Sequence, residues 1–232
     1  MTSLSSMSRR ARGLLVAVAL LATLTSLAPN ARADHELWVW SEMRLPVATA
    51  EQLPVRTTFR LFNDVRFSGR RDGLHQAFLR LGPMFDLTPW LFVALNGTVY
   101  ADHLADGTLD EERRIELEPT LHWRWGPLAF VDRNRVEYRW RDSGDAFRYR
   151  NQLRISYAPP KHVIIPFVWD EALIMLDDEG FHQNRLTTGI TAVLSSTTRL
   201  EGGYMFRSRK ELGSWSHDHI GVVYLFYDGW GR

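Results

Sequence analysis

The stretch NRVEYRWRDSGDAFRYRNQLRISY, from Asn134 to Tyr157, holds the densest chemistry in the chain. Between Arg133 and Arg154 it carries seven arginines, interleaved with tyrosine, tryptophan and phenylalanine. Guanidinium groups bind phosphate and aromatic rings stack on bases, so nucleic-acid binding is one chemistry open to it. The spacing points elsewhere. Across 128–141, arginines 133, 135, 139 and 141 are odd-numbered, as is Glu137, while Val136, Tyr138 and Trp140 are even. Across 146–158, Arg148, Arg150, Gln152 and Arg154 are even, while Phe147, Tyr149, Leu153, Ile155 and Tyr157 are odd. Two strands therefore each set their arginines on one face and their greasy residues on the other. Asn151, on the apolar parity, needs a bulge to fit.

Joined by the turn at Asp142-Ser143-Gly144-Asp145 so that Arg141 faces Ala146, this hairpin would set Glu137 opposite Arg150 and Arg139 opposite Arg148. The segment before it adds Glu116 and Glu118, within reach of Arg133 and Arg135. Arg60, and Glu171 with Arg185 across the loop at 174–181, lie on polar parities of other segments. The candidate set is thus Arg60, Glu116, Glu118, Arg133, Arg135, Glu137, Arg139, Arg148, Arg150, Arg154, Glu171 and Arg185. Such a ladder can hold a closed sheet together through charge-assisted hydrogen bonds, or line a lumen that selects or binds anions. Barrels of this size are usually filled or narrow, which favours the structural role.

Other chemistry is thinner. His217 and His219 sit two apart on one strand face, as some metal ligands do. Ser214 or Ser216 with a histidine could form the Ser–His pair of an outer-membrane lipid hydrolase. No dinucleotide, P-loop, zinc-protease or EF-hand spacing occurs, and there is no cysteine, which excludes disulfides and thiolate metal sites. No cofactor, metal or catalytic residue is expected.

The elements that must position these residues follow from the rest of the chain. Arg9, Arg10 and Arg12, the apolar run GLLVAVALLATLTSLA and Ala31-Arg32-Ala33 compose a cleavable secretory leader over 1–33. Without its four arginines, 24 basic residues face 27 acidic ones, a net charge of −3 that argues against a polyanion partner. Residues 34–232 form one domain with no second apolar run long enough for a helical span. Yet nine tryptophans and twelve phenylalanines are many for a water-soluble domain of this size.

Alternation pervades the chain. Val55, Thr57, Phe59 and Leu61 alternate with Arg56, Thr58 and Arg60; Ile115, Leu117, Leu121 and Trp123 with Arg114, Glu116, Glu118, His122 and Arg124. Ile220, Val222, Tyr224 and Phe226 share a face near the end. Strands are predicted near 37–45, 53–63, 75–85, 89–101, 111–124, 128–141, 146–158, 163–173, 182–195, 198–208 and 214–227. Many exceed the five or six residues of globular strands and suit a bilayer crossing. Tight turns at 86–88, 125–127, 158–161 and 195–197 alternate with longer polar connections. This is the pattern of short periplasmic turns and longer outer loops. If the second strand ascends, 37–45 would have to descend from outside. It belongs either to a twelve-strand barrel or to something irregular.

An ordered series of motifs also resembles a known family. LWVWSEMRL, Arg60, NRVEYR, RYRNQLRISY with its Pro turn, Trp169-Asp170-Glu171, QNRLTTGI and Glu-Gly-Gly-Tyr at 201–204 resemble the bacterial domain of unknown function 2490. The family's members are predicted outer-membrane β-barrels. The tail departs from the family pattern, running on through Asp228-Gly229-Trp230-Gly231-Arg232. The resemblance implies a location and an architecture, not an activity.

The expectation is an all-β, up-and-down antiparallel transmembrane barrel of ten to twelve strands in the outer membrane of a Gram-negative bacterium. Its role is a structural barrel or narrow passive channel with an arginine/glutamate-lined lumen. Its partners are outer-membrane lipid and the barrel-assembly machinery, with no nucleic acid. The alternatives are a barrel-borne enzyme acting on lipid or lipopolysaccharide, and a soluble periplasmic lipocalin-like binding barrel, which requires an apolar lumen.

Overall fold

The computed structural model describes residues 35–48, 55–69, 73–103, 108–176, 180–211 and 213–229, and the expected leader at 1–33 lies outside them. The period-two pattern resolves into eleven strands. These are β1 (His35–Ala48), β2 (Arg56–Ser68), β3 (Gly73–Thr88), β4 (Leu91–His103), β5 (Leu109–Trp125), β6 (Leu128–Arg141), β7 (Ala146–Tyr157), β8 (Ile164–Met175), β9 (Phe181–Val193), β10 (Thr198–Glu211) and β11 (Ser214–Asp228). The shortest have 12 residues and the longest 17. Every strand pairs with its sequence neighbours in antiparallel fashion, and β1 meets β11 to close the barrel.

That closure settles the first segment. β1 is a full wall strand that pairs antiparallel with β2 and parallel with β11, His35 opposite His219 through Arg44 opposite Asp228. Eleven is odd, so the strand that opens the barrel and the strand that closes it run the same way. The start of β1 and the end of β11 therefore lie at opposite ends. We call these the upper end, where β1 begins, and the lower end.

The expected asymmetry of connections does not hold. Connections at the upper end cover 69–72, 104–108, 142–145, 176–180 and 212–213; those at the lower end cover 49–55, 89–90, 126–127, 158–163 and 194–197. Neither set is systematically longer, because the strands run further than the hydrophobic alternation does. β3 takes in Asp86–Thr88, expected as a turn, and the reversal falls at Pro89-Trp90. At 126–127 the reversal uses Gly126 with φ 57°, a left-handed conformation that glycine adopts without strain.

The hairpin register is also corrected. Arg139 pairs with Ala146, Glu137 with Arg148 and Arg135 with Arg150, two residues off the expected alignment. Trp140 and Arg141 pair only with β5, opposite Arg113 and Glu112, while the Gly144 N–H closes the turn on the Arg141 carbonyl at 3.0 Å. Asn151 needs no bulge. It pairs directly with Asn134, and its amide donates to Asp132 at 2.6 Å and Asn134 at 3.1 Å on the outer face.

Strand parity sorts the side chains. Outward-facing Leu81, Leu95, Val99, Ile115, Leu117, Val136, Phe147, Leu153, Val168, Leu186 and Ile190 are all exposed. Rings gather towards both rims. Trp90, Trp125 and Tyr157 lie below, with Trp123 stacked on Phe130 at 5.1 Å. Above lie Tyr138 against Trp140 at 4.6 Å and Phe181 against Trp215 at 5.6 Å. One row breaks the expected sorting. Ile220, Val222, Tyr224 and Phe226 point into the barrel, where Ile220 and Val222 pack with Trp38, Phe167, Trp169 and Met205.

Candidate functional site

The interior is built where the inner rows of β5–β9 meet those of β11, β1, β2 and β3. All twelve charged residues expected on the polar parities face it. Ten of them join one chain of ion pairs. Arg60 donates to Glu118 at 2.7 Å, and Arg135 bonds Glu118 at 2.6 Å while lying 3.7 Å from Glu116 and 3.4 Å from Glu137. Glu137 accepts from Arg148 at 2.8 and 2.5 Å and from Arg150 at 3.1 Å. Arg150 passes the chain to Glu171 at 2.7 Å, which Arg133 and Arg185 reach at 3.3 and 3.1 Å. The remaining two pair elsewhere, Arg139 with Glu112 at 2.5 Å and Arg154 with Glu201 at 2.8 Å.

One expected pairing changes. Arg133 serves Glu171 rather than the β5 glutamates, because its row on β6 leads through Gln152 to Glu171. Glu171 and Arg185 do pair, at 3.1 Å, as direct cross-strand neighbours on β8 and β9.

Burial gives the network its weight. Glu116, Glu118 and Glu137 are 0% exposed and Arg135 is 2% exposed. A carboxylate so far from water is stable only with its charge matched, and two or three guanidinia supply the match for each; Glu116 also accepts from the Thr98 hydroxyl at 2.9 Å.

The interior holds more than those twelve. Arg114, on the polar parity of β5 with Glu116 and Glu118, and also Glu42, Asp64, Arg66, Arg80, Glu112, Glu201, Arg207 and Asp218 face inward and form ion pairs. Trp38, Trp40, Phe62, Phe78, Tyr100 and Tyr224 face inward as well. Phe62, Phe78 and Tyr100 make a stacked ladder at 5.6 and 6.3 Å. Arg80 lies over the rings of Phe62 and Phe78, and Arg114 over Tyr100. Arg66 sits 3.6 Å from the centroid of Trp38, which Arg185 and Arg207 also approach. Cation–π contact lets an aromatic wall face an arginine wall across a narrow lumen. The signal was available in the sequence, since Trp38 and Trp40 share parity with Glu42 and Arg44, and Phe62 with Arg60 and Asp64.

Beside this network lies a cavity of about 310 Å³, reaching from Arg209, His75 and Gln76 near the upper rim down to Arg154 and Glu201. A second pocket at the lower end, lined by residues such as Arg44, Asp86, Phe92 and His122, shares none of its lining. Between the two stand Arg60, Glu42, Glu118 and Thr120, each 5% exposed or less.

The hydrolase and metal candidates separate. Ser216 bonds the Arg209 carbonyl at 3.4 Å, whereas His217 and His219 have the opposite parity and face outward. His217 meets Ser208 at 3.0 Å, and His219 bonds the Tyr204 hydroxyl. No carboxylate lies against either imidazole among the described residues, so the Ser208–His217 pair lacks the group that would orient its base. Among the described residues, no group of three or more histidines, aspartates and glutamates is disposed to hold a metal ion.

A family model described as a protein of unknown function, DUF2490, matches residues 37–217, which takes in nearly all of the tryptophan strand β1, the charged interior apart from Glu36 and Asp218, and the start of β11. Comparison with curated proteins and with solved structures finds no match.

Proposed function

The chain belongs to the DUF2490 family, and from that membership and its closed barrel we propose that it is an outer-membrane β-barrel of structural, non-conducting type. The observation that carries this is the outer wall. It is largely apolar, interrupted by the mutually bonded Asp132, Asn134 and Asn151 and by Asp170 with Asn184, and it is ringed by aromatics towards both rims. From Phe130 to Trp140 along β6, a rise of about 3.3 Å per residue and a tilt of about 40° give a height of about 25 Å, the apolar band of outer-membrane barrels. A barrel in water would leave these side chains against solvent; in lipid they are in their proper medium.

The interior supports the rest of the reading. A charged, aromatic-packed lumen does not suit a lipocalin-like carrier of apolar ligands. The nearly inaccessible group of Arg60, Glu42, Glu118 and Thr120 between the upper cavity and the lower pocket favours a plug over a pore. A Ser–His pair without a carboxylate does not favour lipid hydrolysis. The partners proposed are outer-membrane lipid and the assembly machinery that inserts barrels.

The test is fractionation with gel mobility. The chain is expected in the outer-membrane fraction, with a folded band that migrates differently from the boiled one. Release with soluble periplasmic proteins would overturn the membrane assignment. Steady single-channel conductance of the purified barrel in a planar bilayer would overturn the plug.

A further inference from the structure

The upper cavity holds more positive charge than its wall needs. Twelve arginines line it against five carboxylates, Glu36, Asp64, Asp102, Glu171 and Glu201. Five more acids stand behind these arginines as ion-pair partners, namely Glu112, Glu116, Glu118, Glu137 and Asp218. Arg60 shares Glu118 with Arg135, and its other partner, Glu42, also pairs with Arg44. Among the described residues, guanidinia thus outnumber carboxylates around a confined space. Surroundings of low dielectric make that surplus strongly felt.

The surplus has a focus. Arg114, Arg139 and Arg148 lie on three consecutive strands, with Arg114 directly opposite Arg139 and Arg148 one pair away, opposite Glu137. Arg114 donates through Nε to Glu112 at 2.5 Å, with no acceptor for its terminal nitrogens among the described residues. Arg148 commits Nε and Nη2 to Glu137, which leaves Nη1. Arg139 commits Nε and Nη2 to Glu112, and its Nη1 meets only the Met175 thioether, a weak acceptor, at 3.6 Å. Three guanidinia already oriented by two carboxylates thus keep spare N–H donors on the cavity side. Guanidinium donors match oxyanion geometry, and pre-orientation lowers the entropy cost of binding.

We propose that this cavity is a binding site for a small water-soluble dianion bearing a phosphate or sulfate group, seated on Arg114, Arg139 and Arg148. A doubly charged oxyanion offers acceptors for the spare donors of all three guanidinia. The volume, about 310 Å³, is at the small end of the range for small-molecule sites. The source is soluble rather than a lipid headgroup, because the strand ladder is continuous around the wall and offers no lateral entry. This goes beyond the structural role proposed above and requires only the folded barrel.

The test titrates inorganic phosphate and sulfate separately into the barrel refolded in neutral detergent, at low chloride. Calorimetry is followed alongside tryptophan fluorescence, since Trp40 and Trp169 line the cavity. Saturable one-to-one binding is expected with Kd below about 1 mM, or about 4 kcal/mol. Arg114→Gln and Arg148→Gln each leave their glutamate paired, by Arg139 and by Arg150 respectively. Each is expected to weaken binding about tenfold while preserving the heat-shifted folded band. Arg124→Gln, at an exposed lower-end residue, is expected to change nothing. No saturable binding of either dianion to the wild-type barrel overturns the proposal. So does binding that the two cavity variants leave intact. A barrel that folds and inserts but binds neither dianion refutes this site alone, whereas recovery as a soluble protein refutes the membrane assignment.

Discussion

Glu137→Gln is the sharpest test of the interior network. Glu137 is 0% exposed and meets three arginines: Arg148 at 2.8 and 2.5 Å, Arg150 at 3.1 Å and Arg135 at 3.4 Å. The amide preserves shape and one acceptor oxygen but removes the charge that three buried guanidinia share. Breaking a buried pair by neutralising one member costs about 3–5 kcal/mol, because the surviving charge stays desolvated. Arg150 and Arg135 retain Glu171 and Glu118, so most of the loss should fall on Arg148. An expected loss of about 3 kcal/mol follows. Denaturant unfolding of the refolded barrel, read by the folded band on a cold gel, measures it. Adding Arg148→Gln to Glu137→Gln should restore part of the loss, with a coupling of at least about 1 kcal/mol. A single variant within about 0.5 kcal/mol of wild type, or strictly additive losses, would show that the pairs are screened by water, and the argument from burial would fail.

Three further outcomes follow from other parts of the wall. Leu117→Arg places a guanidinium on the apolar band and is expected to cost about 2–4 kcal/mol in lipid vesicles, with a lower folded yield; unchanged yield would argue that this face does not meet lipid. Gly189→Val should prevent stable folding, since a Cβ there would sit 2.4 Å from the Gly202 carbonyl oxygen and 2.8 Å from the Phe167 ring; a normal folded band would refute the close packing of β9 on β10. The chain lacks cysteine, so Val39→Cys with Val223→Cys gives a clean cross-link assay, those positions being paired across the parallel seam. Oxidation is expected to circularise the barrel and abolish its unfolding shift, and absence of the cross-link would refute parallel closure.

The sequence made the wall legible because alternation is local. Parity alone separated Arg133, Arg135 and Arg139 from Tyr138 and Trp140, and the strand ranges followed. Register was beyond it. The hairpin alignment depends on Trp140 and Arg141 staying paired to β5 after β7 has left them, a contact between distant segments. The inner aromatics were missed for a different reason. Apolar parity was equated with lipid, yet Trp38 and Phe62 face inward because guanidinia lie against their rings or those of their neighbours. Asn151 looked anomalous only while its partners Asp132 and Asn134 were unknown. Together with the Tyr149 hydroxyl they satisfy one another's polar atoms on the outer face.

The parallel seam has a consequence for how such a barrel can be made. A closed sheet with an even number of hairpin-joined strands returns its chain to the side from which it started. With β1 lying alongside β11, the chain instead crosses the wall a net single time, entering at one rim and leaving at the other. The barrel is then a vectorial stitch. In a membrane, as proposed above, anything joined ahead of His35 and anything joined after Asp228 would be displayed on opposite sides, and assembly would have to carry one end of the chain through before the last edge could seal.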